Sequence, residues 1–250
     1  MPVVSPRLKS RIAGALYLLC IACGFFAEMI VRSKLIVYSD PAATAHNILA
    51  SPTLYRMGFF ADVTAMILGV LTSVIFYMLF KVVSRGLALT ALVLDVISNT
   101  ISICGSVLLF APLIILPGLG SISAFSPAET QWLSLLSIKM YESAYSMNLA
   151  VFSGSCLLTG YLIFRSTFLP KALGVLLAIA GVCYLTNSFV NFMPPGFGEY
   201  LFPWILLPVI LGEGALALWL LIIGINPTKW NEIAAAQRQV AKLDGTAHQR

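Results

Sequence analysis

Apolar residues run along this chain in blocks of about 20 or more, the length an α-helix needs to cross ~30 Å of hydrocarbon. Six such blocks can be drawn, at about Ile12–Val31, Met57–Val83, Leu87–Ile115, Pro127–Phe164, Ala172–Met193 and Leu201–Ile225. Breakers separate them: Leu116-Pro117-Gly118 ends the third, Pro194-Pro195-Gly196 the fifth and Asn226-Pro227 the sixth. The fourth block opens on Ser126-Pro127, a good cap and first-turn pair. It is too long for one perpendicular span, which predicts that its first two turns lie at the interface with Trp132 and Tyr141 as anchors. The pattern predicts an all-α fold, a polytopic transmembrane helical bundle of about six spans.

Composition agrees. Hydrophobic residues are 59% of the 250 and charged residues only 10%, and the mean hydropathy is +0.93, far from a soluble domain with ~25% charge. The first block is longer than a signal-peptide core and lacks an obvious small-residue cleavage site, so it reads as an uncleaved first span. Residues 1–226 read as one transmembrane domain and 227–250 as a polar cytoplasmic tail with room for a short helix.

Charge adds direction. With both termini in the cytoplasm, Arg7, Lys9, Arg11, Lys81, Arg85, Arg165, Lys171, Lys229, Arg238, Lys242 and Arg250 lie inside, and Arg32, Lys34, Arg56 and Lys139 lie outside. Eleven against four follows the positive-inside rule and predicts an N-in, C-in topology. The net charge of +5 sits at block ends and forms no stripe with interleaved aromatics, so no nucleic-acid partner is expected.

The costly residues are the acids inside the blocks. A carboxylate at a span centre costs ~2.5–3.5 kcal/mol on the insertion scale against ~0.3–0.6 returned by each Leu. Asp95 and Glu213 fall near the middle of the third and sixth spans, and Glu28, Asp62 and Glu142 fall toward the outer ends of three others. Asp95, Ser98, Asn99, Ser102 and Ser106 share one helix face. Lys139, Glu142, Ser143, Ser146 and Ser153 make a similar stripe, and Asp62, Gly69 and Ser73 a third. Asn187 and Asn191 are one turn apart. Glu28 and Arg32 are also one turn apart and can pair, either as a ligand-facing group or as an ion pair that fixes packing. Gly212 and Gly214 flank Glu213 and would let another helix approach.

Other chemistry is not encoded. The two histidines, His46 and His248, lie outside the spans, so no metal or haem site and no histidine base for the serines of "FSGSCLLTG" is expected. No cofactor fingerprint occurs. Cys20 and Cys23 form a Cys-x-x-Cys in apolar surroundings that disfavour a thiolate, and read as small packing residues.

"DPAATAHNILASPTLYRMGFFAD" (Asp40 to Asp62) and "GYLIFRSTFLPKALGVLLAIAGVCYL" (Gly160 to Leu185) resemble a bacterial multi-pass membrane family called domain of unknown function 4386. "RIAGALYLL…FFAE" and "GEGALALWLLIIGIN" are similar to its two ends. The resemblance implies a six- or seven-helix integral protein of the bacterial inner membrane and brings no activity or ligand with it.

The favoured function is an acidic pocket in the outer half of the bundle that binds or passes a proton, a cation or a small basic ligand. Its candidates are Glu28, Arg32, Asp62, Asp95, Asn99, Glu142, Asn148, Asn187, Asn191 and Glu213. A scaffold or sensor whose buried polar groups serve packing alone is the second reading, and a membrane enzyme on lipid or isoprenoid substrates a third, without a recognisable nucleophile. The bilayer is the certain partner, and a homo-oligomer is left open.

Overall fold

The computed structural model describes residues 5–117, 125–193 and 204–247. Gly118, the Pro194-Pro195-Gly196 break, the Leu201 start of the sixth span and His248 lie outside the described residues.

Eight helices follow one another: α1 Pro6–Leu35, α2 Pro41–Ala50, α3 Pro52–Phe80, α4 Arg85–Ile115, α5 Pro127–Arg165, α6 Lys171–Asn191, α7 Leu206–Ile222 and α8 Pro227–Ala247. Five of them (α1, α3, α4, α5 and α6) are long and apolar enough to cross a membrane, and α7 joins them only when taken together with α8, from which it is bent by 96°, that pair being counted here as the sixth span. The chain is a multi-pass membrane protein. No strand occurs among the described residues.

The six long helices run up and down and close on themselves. Each packs on the next, α1 on α3, then α4, α5, α6 and α7, and α7 returns to α1. Small residues permit this closeness. A Cβ on Gly14 of α1 would stand 2.8 Å from the carbonyl oxygen of Ala217 on α7, and Gly160 of α5 is set against Gly174 of α6 in the same way. Gly212 of α7 meets the backbone of Leu176 on α6, as expected, whereas Gly214 faces open space and brings no helix closer.

The seam between α1 and α7 is tied at the end where both termini lie. Arg11 and Arg7 donate to the carbonyls of Ile222 and Ile223 at 3.0 and 3.3 Å, neutralising the last turn of α7. The Ile225 amide donates to Ser10 Oγ at 3.1 Å. Gly224, at φ 77°, lets the chain reverse there. Asn226 Oδ1 then accepts from the Thr228 and Lys229 amides and starts α8. Trp230 Nε1 donates to the Leu79 carbonyl at 2.8 Å, docking α8 under the bundle.

α5 begins as its sequence predicts. Ser126 Oγ accepts from the Glu129 amide and Glu129 reaches back to the Ser126 amide, a full capping box before Pro127. Trp132 is exposed, but Tyr141 is completely buried and is not an interfacial anchor. Its hydroxyl has an interior partner, described below, so nothing draws it to the membrane surface.

α2 is a short helix in the first connection, capped by the Asp40 side chain on the Ala43 amide at 2.9 Å with Pro41 in its first turn. It leans on α5, and its Asn47 donates to the Leu35 carbonyl at 3.3 Å while His46 stays exposed.

Two apolar clusters plug the bundle. One, around Leu79, Phe80, Leu162, Ile163, Leu216 and Leu220, closes the end bearing the termini. The other, around Val31, Ile48, Leu109, Leu116, Leu135 and Ile138, fills the opposite end over α1 to α5. Between them the ring is hollow.

Candidate functional site

The hollow is a cavity of about 470 Å³ lined from all six spans. Glu28 on α1, Asp62 on α3, Asp95 on α4, Glu142 on α5 and Glu213 on α7 all reach it, so five of the six spans each contribute a carboxyl. The remaining span, α6, contributes Asn187 and Asn191, and Asn99 and Asn148 complete the amides. Among the described residues no lysine or arginine lines it. Every sequence candidate except Arg32 is therefore on the cavity wall.

Arg32 lies behind the wall, 5% exposed. Its Nε donates to Glu28 at 2.7 Å and its Nη1 to Asp62 Oδ2. The Tyr141 hydroxyl donates to the same Asp62 oxygen at 3.5 Å, and the guanidinium sits 5.5 Å from the centre of the Tyr141 ring. One buried cation thus bridges α1, α3 and α5. The helix is adapted for this: Phe26–Arg32 is a π-helical turn, a wider turn often found at functional positions. Tyr38 donates to Glu142 at 3.0 Å and ties the loop after α1 to α5.

Deeper in the bundle the carboxyls have no cation. The salt bridges among the described residues are Arg32 with Glu28 and Arg32 with Asp62. Asp95 is held by Asn99, whose Nδ2 donates to Oδ2 at 3.1 Å, with Ser73 beside it. Glu213 is 8% exposed and its Oε1 makes no hydrogen bond, and Ser102 Oγ on the same wall is unpartnered too. A buried acceptor left in this way costs about 1–3 kcal/mol.

Aromatic residues that the acid pattern did not flag surround Glu213. Tyr17 and Tyr184 lie against its carboxyl. Phe76 packs edge-on to Tyr17 with ring centres 6.0 Å apart, and Phe152 edge-on to Tyr184 at 5.4 Å. All four line the cavity, as does Tyr145. A signal for Tyr17 existed: Tyr17, Ile21, Gly24 and Glu28 recur at one helix face, and all four line the cavity.

The expected stripe on α5 is only half correct. Glu142, Ser146 and Asn148 face the cavity, but Lys139 and Ser143 are exposed on the outside of the bundle. Positions 139 and 143 share one face, and the buried face carries Ser134, Ile138 and Tyr141 instead. Lys139 therefore does not offset the acids. On α6, Ser188 and Asn191 donate to Ser146 at 2.6 and 3.2 Å and fix that helix to α5. Cys20 lines the cavity with its thiol toward the Ala65 carbonyl at 3.2 Å, and neither it nor Cys23 forms a disulfide.

Chemically, the arrangement offers negative charge or hydrogen-bond acceptors, aromatic faces and a largely apolar wall. No curated protein and no solved structure matches the chain. The family model "Domain of unknown function (DUF4386)" matches residues 12–224, and the chain belongs to that family.

Proposed function

We propose that this member of the DUF4386 family binds organic cations, amine or ammonium compounds, inside its transmembrane ring. The observation that carries the reading is the convergence of carboxyls from five of the six spans on one cavity whose lining holds no lysine or arginine. An intramembrane carboxyl takes either a proton or a cation, and such residues mark ion and substrate sites. A volume of about 470 Å³ falls within the ~300–1,000 Å³ of small-molecule pockets and exceeds what a bare ion needs. The aromatic faces beside Glu213 suit an ammonium group through cation–π attraction.

The candidates divide by role. Arg32, Glu28 and Asp62 satisfy one another and, with Tyr141, brace three helices, the packing role that a scaffold reading would give to every polar residue. Asp95, Glu142 and Glu213 carry the ligand-directed charge, with Asn99, Asn148, Asn187 and Asn191 as hydrogen-bonding partners. The lysine and arginine asymmetry supports a topology with both termini in the cytoplasm, and a bacterial inner-membrane setting rests on the family resemblance alone.

The test crosses charge with chain length. The melting temperature of the protein in lipid nanodiscs is followed with propylamine and dodecylamine, and with propanol and dodecanol as neutral counterparts. An amine should raise it above the matching alcohol, and Asp95→Asn with Glu213→Gln should remove the difference. Amines and alcohols acting alike, or a double variant that keeps the difference, overturns the reading.

A further inference from the structure

The wall of the cavity is not uniform. At the end bearing the termini, α1 and α7 are sealed by Arg7, Ser10, Arg11 and Gly14 against the last turn of α7. Toward Arg32 the same two helices diverge, and the π-helical turn of α1 is packed on α3 with no comparable contact to α7 among the described residues. Phe25 and Met29 of α1 and Ile210 of α7 line the cavity there, yet they are 56%, 41% and 58% exposed. Among the described residues, these side chains present surface both to the cavity and beyond it, which marks the thin part of the wall between the two helices. Gly24 lies in this stretch and also lines the cavity, and a Cβ added to it would have nothing within 4 Å.

The surroundings of this opening are hydrocarbon, because exposed faces of spanning helices meet lipid chains. Among the described residues its rim is apolar except for Glu28, whose side chain is 44% exposed. From Glu28 down to Tyr17 the cavity extends over 11 residues of α1, ~17 Å at 1.5 Å per residue. An ion arriving from water has no use for an apolar slot facing the bilayer. A molecule with a charged head and a hydrocarbon chain does.

We infer that the cavity is entered sideways from the bilayer, between α1 and α7, and that its ligand is an amphiphilic amine. The ammonium head passes Glu28 and settles among Glu213, Tyr17 and Tyr184, where Glu213 Oε1 is the unpartnered acceptor. The chain lies in the slot against Gly24, Phe25, Met29 and Ile210. This rests on the cation-binding reading and adds the chain and the route.

The experiment compares half-saturating concentrations of propylamine and dodecylamine, from the same nanodisc melting shifts, in the wild type, Gly24→Leu and Gly214→Leu. Both glycines face open space, so both variants should fold, and Gly214 is not on the cavity wall. Dodecylamine should bind at least about tenfold more tightly than propylamine, the effect of burying roughly two methylenes. Gly24→Leu should weaken dodecylamine about tenfold, well beyond any change for propylamine, and Gly214→Leu should alter neither. Propylamine binding as tightly as dodecylamine, or dodecylamine indifferent to Gly24→Leu, overturns the lateral route while leaving cation binding intact. Neither amine exceeding its alcohol overturns both readings.

Discussion

Arg32 on α1 and Asp62 on α3 form a buried ion pair between neighbouring spans, and Glu28 holds the other edge of the same guanidinium. Breaking one partner of such a pair leaves an uncompensated charge, at about 3–5 kcal/mol. Asp62→Ala should therefore melt far below the wild type in detergent. Replacing both members, Arg32→Met with Asp62→Leu, should recover most of the loss, because similar apolar volume is often neutral at a buried pair. A double variant no more stable than Asp62→Ala would mean that the pair supplies specific bonding energy rather than mutual neutralisation.

Glu213 should behave in the opposite way. Its Oε1 has no partner and, among the described residues, no cation lies on the cavity wall, so its charge gains no ion pair on folding. Glu213→Gln should melt at or above the wild type without ligand, within about 1 kcal/mol, the range of a single hydrogen bond. It should also lose the amine-induced rise. A variant that melts several degrees lower without ligand would assign Glu213 to packing.

The contrast between these two acids explains how far the sequence could be read. Both cost insertion energy, and both line one cavity, a convergence that spacing within single helices does not encode. Only the fold distinguishes them, since Arg32 finds Asp62 30 positions away and a one-dimensional pattern shows Arg32 only its own-helix neighbour Glu28. The π-helical turn that aims Arg32, Phe26–Arg32, contains no glycine or proline to mark it in the sequence. Tyr141 was misassigned for a related reason, because aromatic residues near a span end suit the interface unless a buried acceptor claims the hydroxyl. Two helix starts are legible in the sequence: Asp40-Pro41 and Asn226-Pro227 each place a cap before a first-turn proline, and helices begin at Pro41 and Pro227.

Helix closeness provides a third prediction. A Cβ on Gly14 would meet the Ala217 carbonyl oxygen at 2.8 Å and the Leu220 carbonyl carbon at 2.9 Å, both backbone atoms of α7 that cannot swing aside. Gly14→Ala should force α1 and α7 apart and lower stability by about 1–3 kcal/mol, as overpacking does. Gly214→Ala, in open space on α7, should match or slightly exceed the wild type through its better helix propensity. Thermal melts of the two in detergent give the comparison, and equal melting would show that the ring does not close through Gly14.

Orientation provides the last. The Arg32 end carries α2, with His46 exposed on it, and the charge asymmetry puts that end outside the cytoplasm. In a variant with Cys20, Cys23, Cys104, Cys156 and Cys183 all replaced by Ala or Ser, a thiol introduced by His46→Cys should react in intact cells with a membrane-impermeant maleimide. One introduced by Lys229→Cys, at the start of α8 on the opposite end, should react only after lysis. Because the six spans, α1 and α3 to α7, alternate in direction, the two results are linked: six crossings separate the N-terminal turn of α1 from α8, so both lie on one side and α2 on the other. The reverse pattern would invert the topology and turn the rim at Glu28 toward the cytoplasmic leaflet. The lateral route would then draw its amphiphile from the cytoplasmic leaflet instead of the outer one.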